Sequence, residues 1–365
     1  SRNPIVKSEL RMIFRFQKRG VQTAERNMNI IIDAFGGDNA PWEIIKGTAM
    51  ALKEFPELTV TLTGDEEKIR RELEAYPETQ GRISIVHAPE LISMDEPPVL
   101  AVKRKRHSSL VEGLELLKAG QGDAFITCGS TGATLSGALL RVGRIKGILR
   151  PALSPVLPND RKGVMLIDCG ANMDCKSANL VQFAMMGDIY MRKVLHVENP
   201  RIALANVGTE SEKGNELTHE VYPLLQADKR LNFVGNMEGR DVFTAADVIV
   251  ADGFAGNLLL KSIEGTAGYM SHLMKEGFTS SLRCKLGAAL VMPALKSLKK
   301  KMDYTEYGGA PLLGINGVVL KGHGSSNAKA LAATVRQAVR MVEGRVVETI
   351  KEALAQREEA PESAV

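Results

Sequence analysis

The stretch Ala124-Phe125-Ile126-Thr127-Cys128-Gly129-Ser130-Thr131-Gly132-Ala133 joins a short apolar run to a turn that contains two glycines. An apolar run of four residues that ends in such a turn is typical of a buried strand. Glycine after a strand lets the backbone approach a ligand closely, and a helix that begins there presents its first N–H groups to an anion. Residues 129–132 are therefore predicted to form a small cradle for a phosphate or an oxyanion, with the hydroxyls of Ser130 and Thr131 as further donors.

The same strand-then-turn pattern recurs along the chain. The other strand candidates are 29–33, 58–63, 83–86, 164–168, 202–206, 231–234, 247–251 and 317–321. The helix candidates that alternate with them include 42–54, 65–75, 108–119, 178–195 and 211–226. Regular alternation of strands and helices predicts an α/β fold with a largely parallel sheet.

Six further strand ends run into glycine, asparagine or aspartate. These junctions lie at 33–38, 168–172, 206–208, 235–239, 252–257 and 322–327. Any one of them alone would be consistent with an ordinary turn or helix cap. In an open α/β sheet, however, ligands bind at the carboxyl ends of the strands, so the seven junctions together predict a large polar crevice.

Several common catalytic and nucleotide-binding motifs are missing from the sequence. No G-x-G-x-x-G follows a strand, and neither a G-x-x-x-x-G-K-[ST] loop nor a G-x-S-x-G elbow occurs. A dinucleotide site, P-loop hydrolysis and serine hydrolysis are therefore not favoured. The four cysteines form no C-x-x-C pair and the six histidines show no ligand spacing, so we expect reduced thiols and no metal site.

The chain has 365 residues and a formal charge of +4, and its distribution of charge is uneven. Residues 1–27 hold seven basic and two acidic side chains and carry +5, so the remaining 338 residues carry −1. We expect 1–27 to be an extension outside the fold, with a functional basic arm as the alternative. Because the body is nearly neutral, nucleic acid is not expected as a partner. The longest apolar run, 287–295, is too short to span a membrane.

A local basic run, Lys103-Arg104-Lys105-Arg106, directly precedes the helix candidate at 108–119. Four cations are disfavoured at a helix N-terminus, so the run predicts an anionic partner, either a phosphate or an acidic protein. The alternative is a solvated cluster of charges.

The segment 278–303 carries an apolar stripe with a four-residue spacing, from Phe278 to Leu290, followed by Pro293 and several lysines. It predicts a protruding helical hairpin at about 272–303 whose apolar elbow is 287–295. The hairpin could be a buried helix pair in a dimer. It could instead insert reversibly into an anionic membrane surface, in which case the membrane residues would be Leu286, Leu290, Val291 and Leu295.

From about residue 28 to residue 345, these motifs resemble the phosphate acyltransferase (PlsX) family of bacterial phospholipid synthesis. The resemblance rests on Asp33-Ala-Phe-Gly-Gly-Asp38, Met94-Asp95, the basic run with Ser108-Ser109, Gly129-x-Thr-Gly132, Asp168-x-Gly-Ala-Asn172, Lys213-Gly-Asn-Glu-Leu217, Gly235-Asn-x-Glu-Gly-Arg-Asp241, Asp252-Gly-Phe-x-Gly-Asn257, Asp303-Tyr-x-Glu-Tyr-Gly-Gly-Ala310 and Lys321-Gly-His-Gly-Ser-Ser326. Two positions depart from it, since the family often has asparagine at Ser130 and an acidic residue at Thr209.

The resemblance implies a reversible transfer of a long-chain acyl group from acyl carrier protein to orthophosphate, without a metal or organic cofactor. It implies a homodimeric three-layer α/β/α protein similar to the isocitrate/isopropylmalate dehydrogenases and to phosphotransacetylase. The enzyme would be cytoplasmic and peripherally attached to the membrane, and a glycerol-3-phosphate acyltransferase would use its product. We expect this domain at 28–350, followed by a disordered tail at 351–365.

Because phosphate is itself a nucleophile, the expected site has to position it and stabilise an oxyanion. The catalytic candidates are His323, Lys261 and Asn257, although His323 could instead only cap the next helix. The basic run is the candidate surface for the carrier protein. The candidates for binding substrate or phosphate are Asp33, Gly36, Gly37, Asp38, Gly129, Ser130, Thr131, Gly132, Asp168, Asn172, Asn206, Asn236, Asp252, Gly253, Gly256 and Ser325. Among these, the aspartates are expected to orient other side chains or to bind the pantetheine arm.

Three other functions are compatible with parts of the pattern. The first is a phosphotransacylase that uses acyl-CoA, and the second is a decarboxylating dehydrogenase that would need nicotinamide and a divalent metal. The third is a scaffold that binds carrier protein and membrane without catalysis.

Overall fold

The structure, a computed structural model, describes residues 27–301 and 307–359. Within them the strands are β1 (Asn29–Asp33), β2 (Thr59–Gly64), β3 (Ile83–His87), β4 (Ala124–Thr127), β5 (Ala152–Leu153), β6 (Val156–Leu157), β7 (Val164–Ile167), β8 (Arg201–Asn206), β9 (Asn232–Glu238), β10 (Val248–Val250), β11 (Ala310–Leu313) and β12 (Val318–Lys321). The α-helices are α1 (Trp42–Glu54), α2 (Glu66–Leu73), α3 (Pro98–Arg104), α4 (Ser109–Lys118), α5 (Thr131–Gly137), α6 (Ser177–Val194), α7 (Glu216–Ala227), α8 (Gly253–Thr279), α9 (Leu282–Lys301), α10 (Ala328–Glu343) and α11 (Val346–Glu359).

The strands form two sheets, one with the order β3-β2-β1-β4-β12-β11-β5 and one with the order β6-β7-β10-β8-β9. Parallel pairing dominates both sheets, and antiparallel pairing is confined to β11 with β12, β5 with β11 and β6 with β7. Central strands such as β1 are apolar on both faces because helices cover both sides of a parallel sheet. The predicted α/β class with mostly parallel pairing is confirmed.

Three strands of these antiparallel pairs, β5, β6 and β11, were not predicted, and β5 and β6 join the two sheets. β5 and β6 have two residues each, which is too short for a hydrophobic pattern to show. Between them, Ser154 N donates to Pro311 O over 3.0 Å, and Leu166 N donates to Pro155 O over 3.0 Å. This short segment therefore ties an edge of the first sheet to an edge of the second.

One apolar core runs through both halves of the molecule. Ile32 and Ile126 from the first sheet belong to the same buried cluster as Ile167 and Val250 from the second. Helices α6 and α10 also meet in this core, where Gln337 Nε2 donates to Tyr190 Oη over 2.7 Å. The shared core fixes the two sheets relative to each other, and with them the loops that follow their strands.

The basic run lies at the end of a helix and not at the start of one. Lys103 and Arg104 form the last turn of α3, while α4 begins only at Ser109. A helix C-terminus favours cations, so the macrodipole argument for an anionic partner was wrong. The helix predicted at 108–119 is present as α4, but α3 was not predicted, because Pro97 and Pro98 were not recognised as the start of a helix ahead of the basic run.

One cation of the basic run is engaged within the fold. Lys105 Nζ donates to Leu91 O and to Glu96 Oε1, both over 2.7 Å. This hydrogen bond lowers the pKa of Glu96 to about 2. Lys103, Arg104 and Arg106 remain exposed.

The hairpin is present, but its turn is at Ser280–Ser281, between α8 and α9. Ser281 Oγ accepts from Cys284 N over 3.2 Å and so caps α9. The predicted elbow at 287–295 was wrong, since these residues, including Pro293, lie inside α9. The carbonyl that Pro293 leaves without a helical donor belongs to the exposed Ala289, where water can solvate it.

Most of the surface of the hairpin is exposed, including most of its leucines. Ala288 is buried in the groove between α8 and α9, whereas Leu286 is 62% and Leu290 84% exposed. Val291 is also exposed and Leu295 is half-buried. Among the residues that the structure describes, no helix is long and apolar enough to cross a membrane.

The chain remains helical beyond residue 350. Helix α11 buries Ile350 and Leu354, and Arg357 Nη2 donates to Asp228 Oδ2 over 2.6 Å. The predicted disordered tail was therefore wrong for 351–359, because the apolar spacing continues through that segment. Residues 360–365, like 1–26 of the predicted extension and 302–306, lie outside the described residues.

Replacing Leu354 with alanine tests whether α11 is docked. Leu354→Ala should lower the free energy of unfolding by about 2–4 kcal/mol, because it removes buried methyl groups and leaves a cavity. Urea denaturation measures the change. The exposed neighbour Lys351 provides the control, since Lys351→Ala should shift the value by less than about 0.5 kcal/mol. Equal effects of the two variants would contradict docking of α11.

Candidate functional site

Three loops meet beyond the carboxyl ends of β1, β4 and β12. These strands are neighbours in the first sheet, with Ile32 opposite Ile126 and Lys321 opposite Thr127. Their parallel direction brings the predicted junctions at 33–38 and 322–327 beside the cradle at 129–132. The sheet thus assembles sequence segments that are almost 300 residues apart.

A buried carboxylate underlies this meeting point. Asp33 is 2% exposed, and its carboxylate accepts from Thr127 Oγ1 over 2.7 Å and from Phe35 N over 3.1 Å. Thr127 Oγ1 in turn accepts from Gly129 N over 3.0 Å. Burial raises the pKa of Asp33, although the hydrogen bonds oppose this effect. Asp33 thus holds the start of the 129–132 loop in place through the Thr127 hydroxyl.

Close backbone contacts hold the other two loops together. A Cβ added at Gly36 would lie 2.8 Å from Gly129 N, and one at Gly37 would lie 2.8 Å from Gly324 O. Asp38 N donates to Gly324 O over 2.8 Å. Gly36 and Gly37 were expected to bind substrate, and the structure places them at contacts that no larger residue would permit.

The cradle at 129–132 has fewer available donors than the sequence suggested. Gly129 N already donates to Thr127, and Ser130 Oγ accepts from Ala133 N over 3.4 Å as the cap of α5. Thr131 is exposed, and the amides of Thr131 and Gly132 lie in the first helical turn, where the helix supplies no acceptor. Gly132 also allows α3 to approach, because a Cβ there would lie 2.6 Å from Pro98.

His323 is exposed in the loop after β12. Its Nδ1 accepts from Ser325 N over 3.2 Å and lies 2.8 Å from Ser325 Oγ, so the hydrogen of the neutral ring is assigned to Nε2. Burial lowers the pKa of His323 below 6.5, and the charges of Lys321 and Lys261 lower it further. Asn327 caps α10 by accepting from Ala330 N over 3.0 Å, so His323 is not the cap of that helix.

Helix α8 contributes an ion pair from the side of the second sheet. Lys261 Nζ donates to Glu264 Oε2 over 2.7 Å. The charges of both residues act on the pKa of His323 and on that of Lys321. Of the catalytic candidates, Lys261 and His323 are thus near enough to interact electrostatically. We call the region between α8 and the loop after β12, which follow strands of different sheets, the cleft.

Asp168 and Asn172 form the turn after β7. Asp168 is fully buried, and its carboxylate accepts from Leu153 N, Ala171 N and Asn172 N over 2.7–3.2 Å. Asn172 Nδ2 donates to Pro151 O over 2.7 Å and to Asp168 Oδ2 over 3.0 Å. Burial raises the pKa of Asp168. Both side chains are engaged in holding the turn.

The start of α8 packs closely against that turn. Gly253 N donates to Asn172 O over 2.8 Å and Gly256 N donates to Asp252 O over 2.9 Å. A Cβ at Gly253 or Gly256 would collide with a backbone oxygen of the turn. Asp252 accepts from Ala255 N over 2.8 Å and caps the helix. The two glycine amides are therefore not available to a ligand, whereas Asn257 is half-exposed beside Gly170.

Asn206 is the last residue of β8 and Asn236 lies in the second half of β9, and both shape the loop that follows β8. Asn206 Nδ2 donates to Lys213 O over 2.9 Å, and Asn236 Nδ2 donates to Glu210 O over 2.8 Å. These contacts place the two asparagines in a separate group, on the far strands of the second sheet.

Two residues of the cleft, Lys321 and Glu264, were not among the candidates. Lys321 ends the apolar run Val318-Val319-Leu320, and a single lysine at such a strand end is the signal that could have revealed it. Glu264 carries no comparable signal, since its place depends on how α8 crosses the cleft.

The cysteines offer no nucleophile to this site. Cys128 is buried and burial raises its pKa to about 11, while burial also raises the pKa of Cys169. Among the described residues, no group of histidine, cysteine, aspartate or glutamate side chains could hold a metal ion.

Comparisons with known proteins match nearly the whole folded chain. A family model described as "Fatty acid synthesis protein" matches residues 28–349. The phosphate acyltransferase of Geobacillus thermodenitrificans is 51% identical over 89% of this chain and 98% of its own length. The phosphate acyltransferase of Thermoanaerobacter pseudethanolicus is 50% identical over 89% and 97%.

Two solved structures are similar in fold. A phosphotransacetylase from Streptococcus pyogenes has a TM-score of 0.59 and 18% identity, covering 93% of this chain and 99% of its own. A branched-chain phosphotransacylase from Enterococcus faecalis has a TM-score of 0.51 and 16% identity, covering 86% and 99%. At such low identity these structures show the fold alone, and they confirm the predicted likeness to phosphotransacetylase.

Replacing Thr127 with valine tests the network below the loop. Thr127→Val should lower the free energy of unfolding by roughly 1–3 kcal/mol, because it removes the hydroxyl that donates to the buried Asp33 Oδ2 and leaves the Gly129 N–H without its acceptor. Thr134→Val is the matched control, since that buried hydroxyl donates only to Ser130 O one helical turn away. A urea denaturation in which both variants lose the same stability would contradict a special role for the Thr127 hydroxyl.

Proposed function

The chain belongs to the phosphate acyltransferase (PlsX) family, and on that premise we propose that it transfers a long-chain acyl group from acyl carrier protein to orthophosphate. The chain is thus a transferase, and its reaction is a phosphate acyl transfer. The observation that supports the proposed mechanism is that Lys321 ends β12 beside the strand that leads into the 129–132 loop, with His323 two residues later, and that the charge of Lys261 acts on both side chains.

The cluster suits a reaction in which the nucleophile is an anion that the protein must hold in place. An oxygen of hydrogen phosphate attacks the thioester carbonyl carbon, and a tetrahedral oxyanion forms. The carbon–sulfur bond then breaks, which gives acyl phosphate and the pantetheine thiolate. The proton that hydrogen phosphate loses is the proton that the thiolate gains, so no external acid or base is consumed.

His323 is assigned the role of donor to the oxyanion. Its Nδ1 accepts from Ser325 N, which leaves the Nε2–H group of the neutral ring to donate. A positioned donor of this kind stabilises the charge that develops on the thioester oxygen. The same nitrogen can give its proton to the leaving thiolate and then take up the proton that phosphate loses, so that one proton moves from phosphate to sulfur overall.

The predicted binding residues fall into two groups, one exposed to solvent and one buried, and we propose a different role for each group. Thr131, Asp38 and Ser325 are exposed around the cleft and are proposed to contact substrate, as is the half-exposed Asn257. Asp33 and Asp168 are buried, and each accepts several hydrogen bonds from its own turn. We assign these two carboxylates the role of positioning residues.

The carrier protein is proposed to dock at the exposed end of α3. Lys103, Arg104 and Arg106 would face the acidic surface of the carrier. The other end of α3 contacts the cradle through Pro98 and Gly132. Because α3 has seven residues, its cationic end lies about 10 Å from that contact. The thioester would therefore enter the cleft from the side of the basic run.

The hairpin is proposed to bind an anionic membrane surface from the cytoplasmic side. Its exposed leucines would enter the acyl region, and lysines such as Lys296 would stay among the headgroups. The product, an acyl phosphate, is amphiphilic and would pass to a glycerol-3-phosphate acyltransferase. A homodimer could use part of the same hairpin.

An assay of acyl phosphate formation tests the proposed function. Long-chain acyl carrier protein and orthophosphate, without added metal, should give acyl phosphate and free carrier in a phosphate-dependent manner. His323→Ala should reduce kcat by about 10²-fold or more, because a transition-state donor is lost.

The assay also separates the alternatives. A preference for acyl-CoA over the acyl carrier protein would favour the phosphotransacylase. Carrier binding without phosphate-dependent loss of thioester would indicate a scaffold. Activity that requires nicotinamide and a divalent metal, and that a chelator abolishes, would indicate the dehydrogenase.

A charge placed on the hairpin tests the membrane proposal. Leu290→Glu should reduce sedimentation with anionic liposomes several-fold, because a carboxylate at an 84% exposed apolar position opposes insertion. Leu224→Glu is the control, since Leu224 is an exposed leucine on α7. Unchanged sedimentation of a soluble, folded Leu290→Glu protein would refute membrane binding through this stripe.

A further inference from the structure

Lys321 lies at the meeting point of the three loops, on the strand beside β4. It is the last residue of β12, it lies opposite Thr127 of β4, and its side chain is half-buried. The backbone around it is tightly packed, because a Cβ at Gly309 would lie 2.6 Å from Lys321 O and one at Gly322 would lie 2.6 Å from Cys128 Sγ. The base of the side chain is therefore held firmly at the end of the strand.

The ammonium group of Lys321 has no close counterion among the described residues. The neighbouring Lys261 is paired with Glu264 at 2.7 Å, whereas no carboxylate lies within 4.0 Å of Lys321 Nζ. The charged side chains that act on Lys321 through space are Asp38, Lys261 and Glu264. A half-buried cation without a partner is unfavourable, and an anionic ligand would relieve this cost.

The electrostatics around Lys321 favour the binding of an anion. Burial lowers the pKa of Lys321, and the positive charge of Lys261 adds to this effect. Lys321 and Lys261 also lower the pKa of His323, while Asp38 and Glu264 raise it. An anion between these cations would offset their effect on His323, so binding and the protonation of that ring should be linked.

The cradle loop alone is a weak holder for a dianion. One of its four amides, Gly129 N, already donates to Thr127. The Ser130 hydroxyl oxygen already accepts from Ala133 N as the cap of α5. The loop carries no charge, and Lys321 lies on the adjacent strand of the same sheet. A cation at that position would supply the charge that the loop lacks.

We propose that Lys321 is the principal phosphate-binding residue of this enzyme and holds orthophosphate between the 129–132 loop and α8. This inference rests on the proposed function, and it goes beyond it by assigning the nucleophile to one side chain. In this arrangement the Lys261–Glu264 pair borders the phosphate, and His323 lies on the side of the acyl donor.

Steady-state kinetics with two substitutions tests the proposal. Lys321→Gln and Lys321→Met should each raise KM for orthophosphate by about 10- to 100-fold, which is typical for loss of a charged hydrogen-bond donor. KM for the acyl carrier protein should stay within about twofold, because the acyl donor does not contact Lys321. Lys118→Gln, at the exposed end of α4, is the control and should leave both constants unchanged. A wild-type KM for phosphate in either folded variant would overturn the proposal.

An NMR titration of His323 gives a readout that does not need turnover. Orthophosphate added to the wild-type protein should raise the pKa of His323. Lys321→Gln should already raise that pKa without phosphate, and any further rise should need 10- to 100-fold more phosphate. If the Lys321 variants fail to fold, the wild-type titration alone decides, because an unchanged pKa of His323 at saturating phosphate would overturn the proposal.

Direct binding of phosphate distinguishes the two hypotheses. Calorimetry with orthophosphate alone should show binding to the wild-type protein and to Lys118→Gln, and a 10- to 100-fold weaker affinity in Lys321→Gln. Phosphate binding that depends on Lys321 in a protein without acyl transfer would support the anion site and refute the proposed function. Phosphate-dependent acyl transfer together with an unaltered phosphate affinity in Lys321→Gln would support the proposed function and refute Lys321 as the anion site.

Discussion

The hydrogen bond between the Thr127 hydroxyl and the buried Asp33 carboxylate is the constraint on which the site depends. It joins the ends of β1 and β4, and through Gly129 N it also fixes the loop that begins α5. A carboxylate is costly to bury, so its partners are strongly required to keep their places. Gly36 fits over this network with no room for a side chain, and Gly37 then reaches Gly324 of the third loop. Three segments distant in sequence are thus held in one geometry.

Much of the fold could be predicted because parallel strands between helices have to be apolar on both faces. Runs such as Ile30–Ile32 and Val164–Ile167 are buried throughout, and a pattern of this kind survives in the sequence. The two-residue strands β5 and β6 have no such pattern, although they join the two sheets. The division into two sheets, and the cleft between them, therefore had to come from tertiary structure.

The misplaced hairpin turn and the unpredicted helix α3 share a physical cause. Apolar spacing and net charge were given more weight than the capping residues that decide where a helix begins. Ser281 caps α9 and moves the hairpin turn to 280–281, and Pro97–Pro98 begin α3 ahead of the basic run. Four cations that seemed unfavourable at a helix start are favourable at a helix end. The exposed cations are the same whether the basic run begins one helix or ends another. Their place at the end of α3 is what relates them to the cleft, because the other end of that helix contacts the 129–132 loop.

The candidate site also shows which chemistry a strand-end glycine can and cannot indicate. Sequence alone marks where the backbone comes close to something, and in this protein that partner is often another loop. Gly253 and Gly256 approach the Asp168 turn, and Gly36 and Gly37 approach the neighbouring loops, so their closeness serves packing. Anion binding needs amides without acceptors or cations without counterions, and neither can be recognised before the hydrogen bonds are known. By that criterion the cleft depends less on its glycines than on Lys321, the charged end of a buried strand.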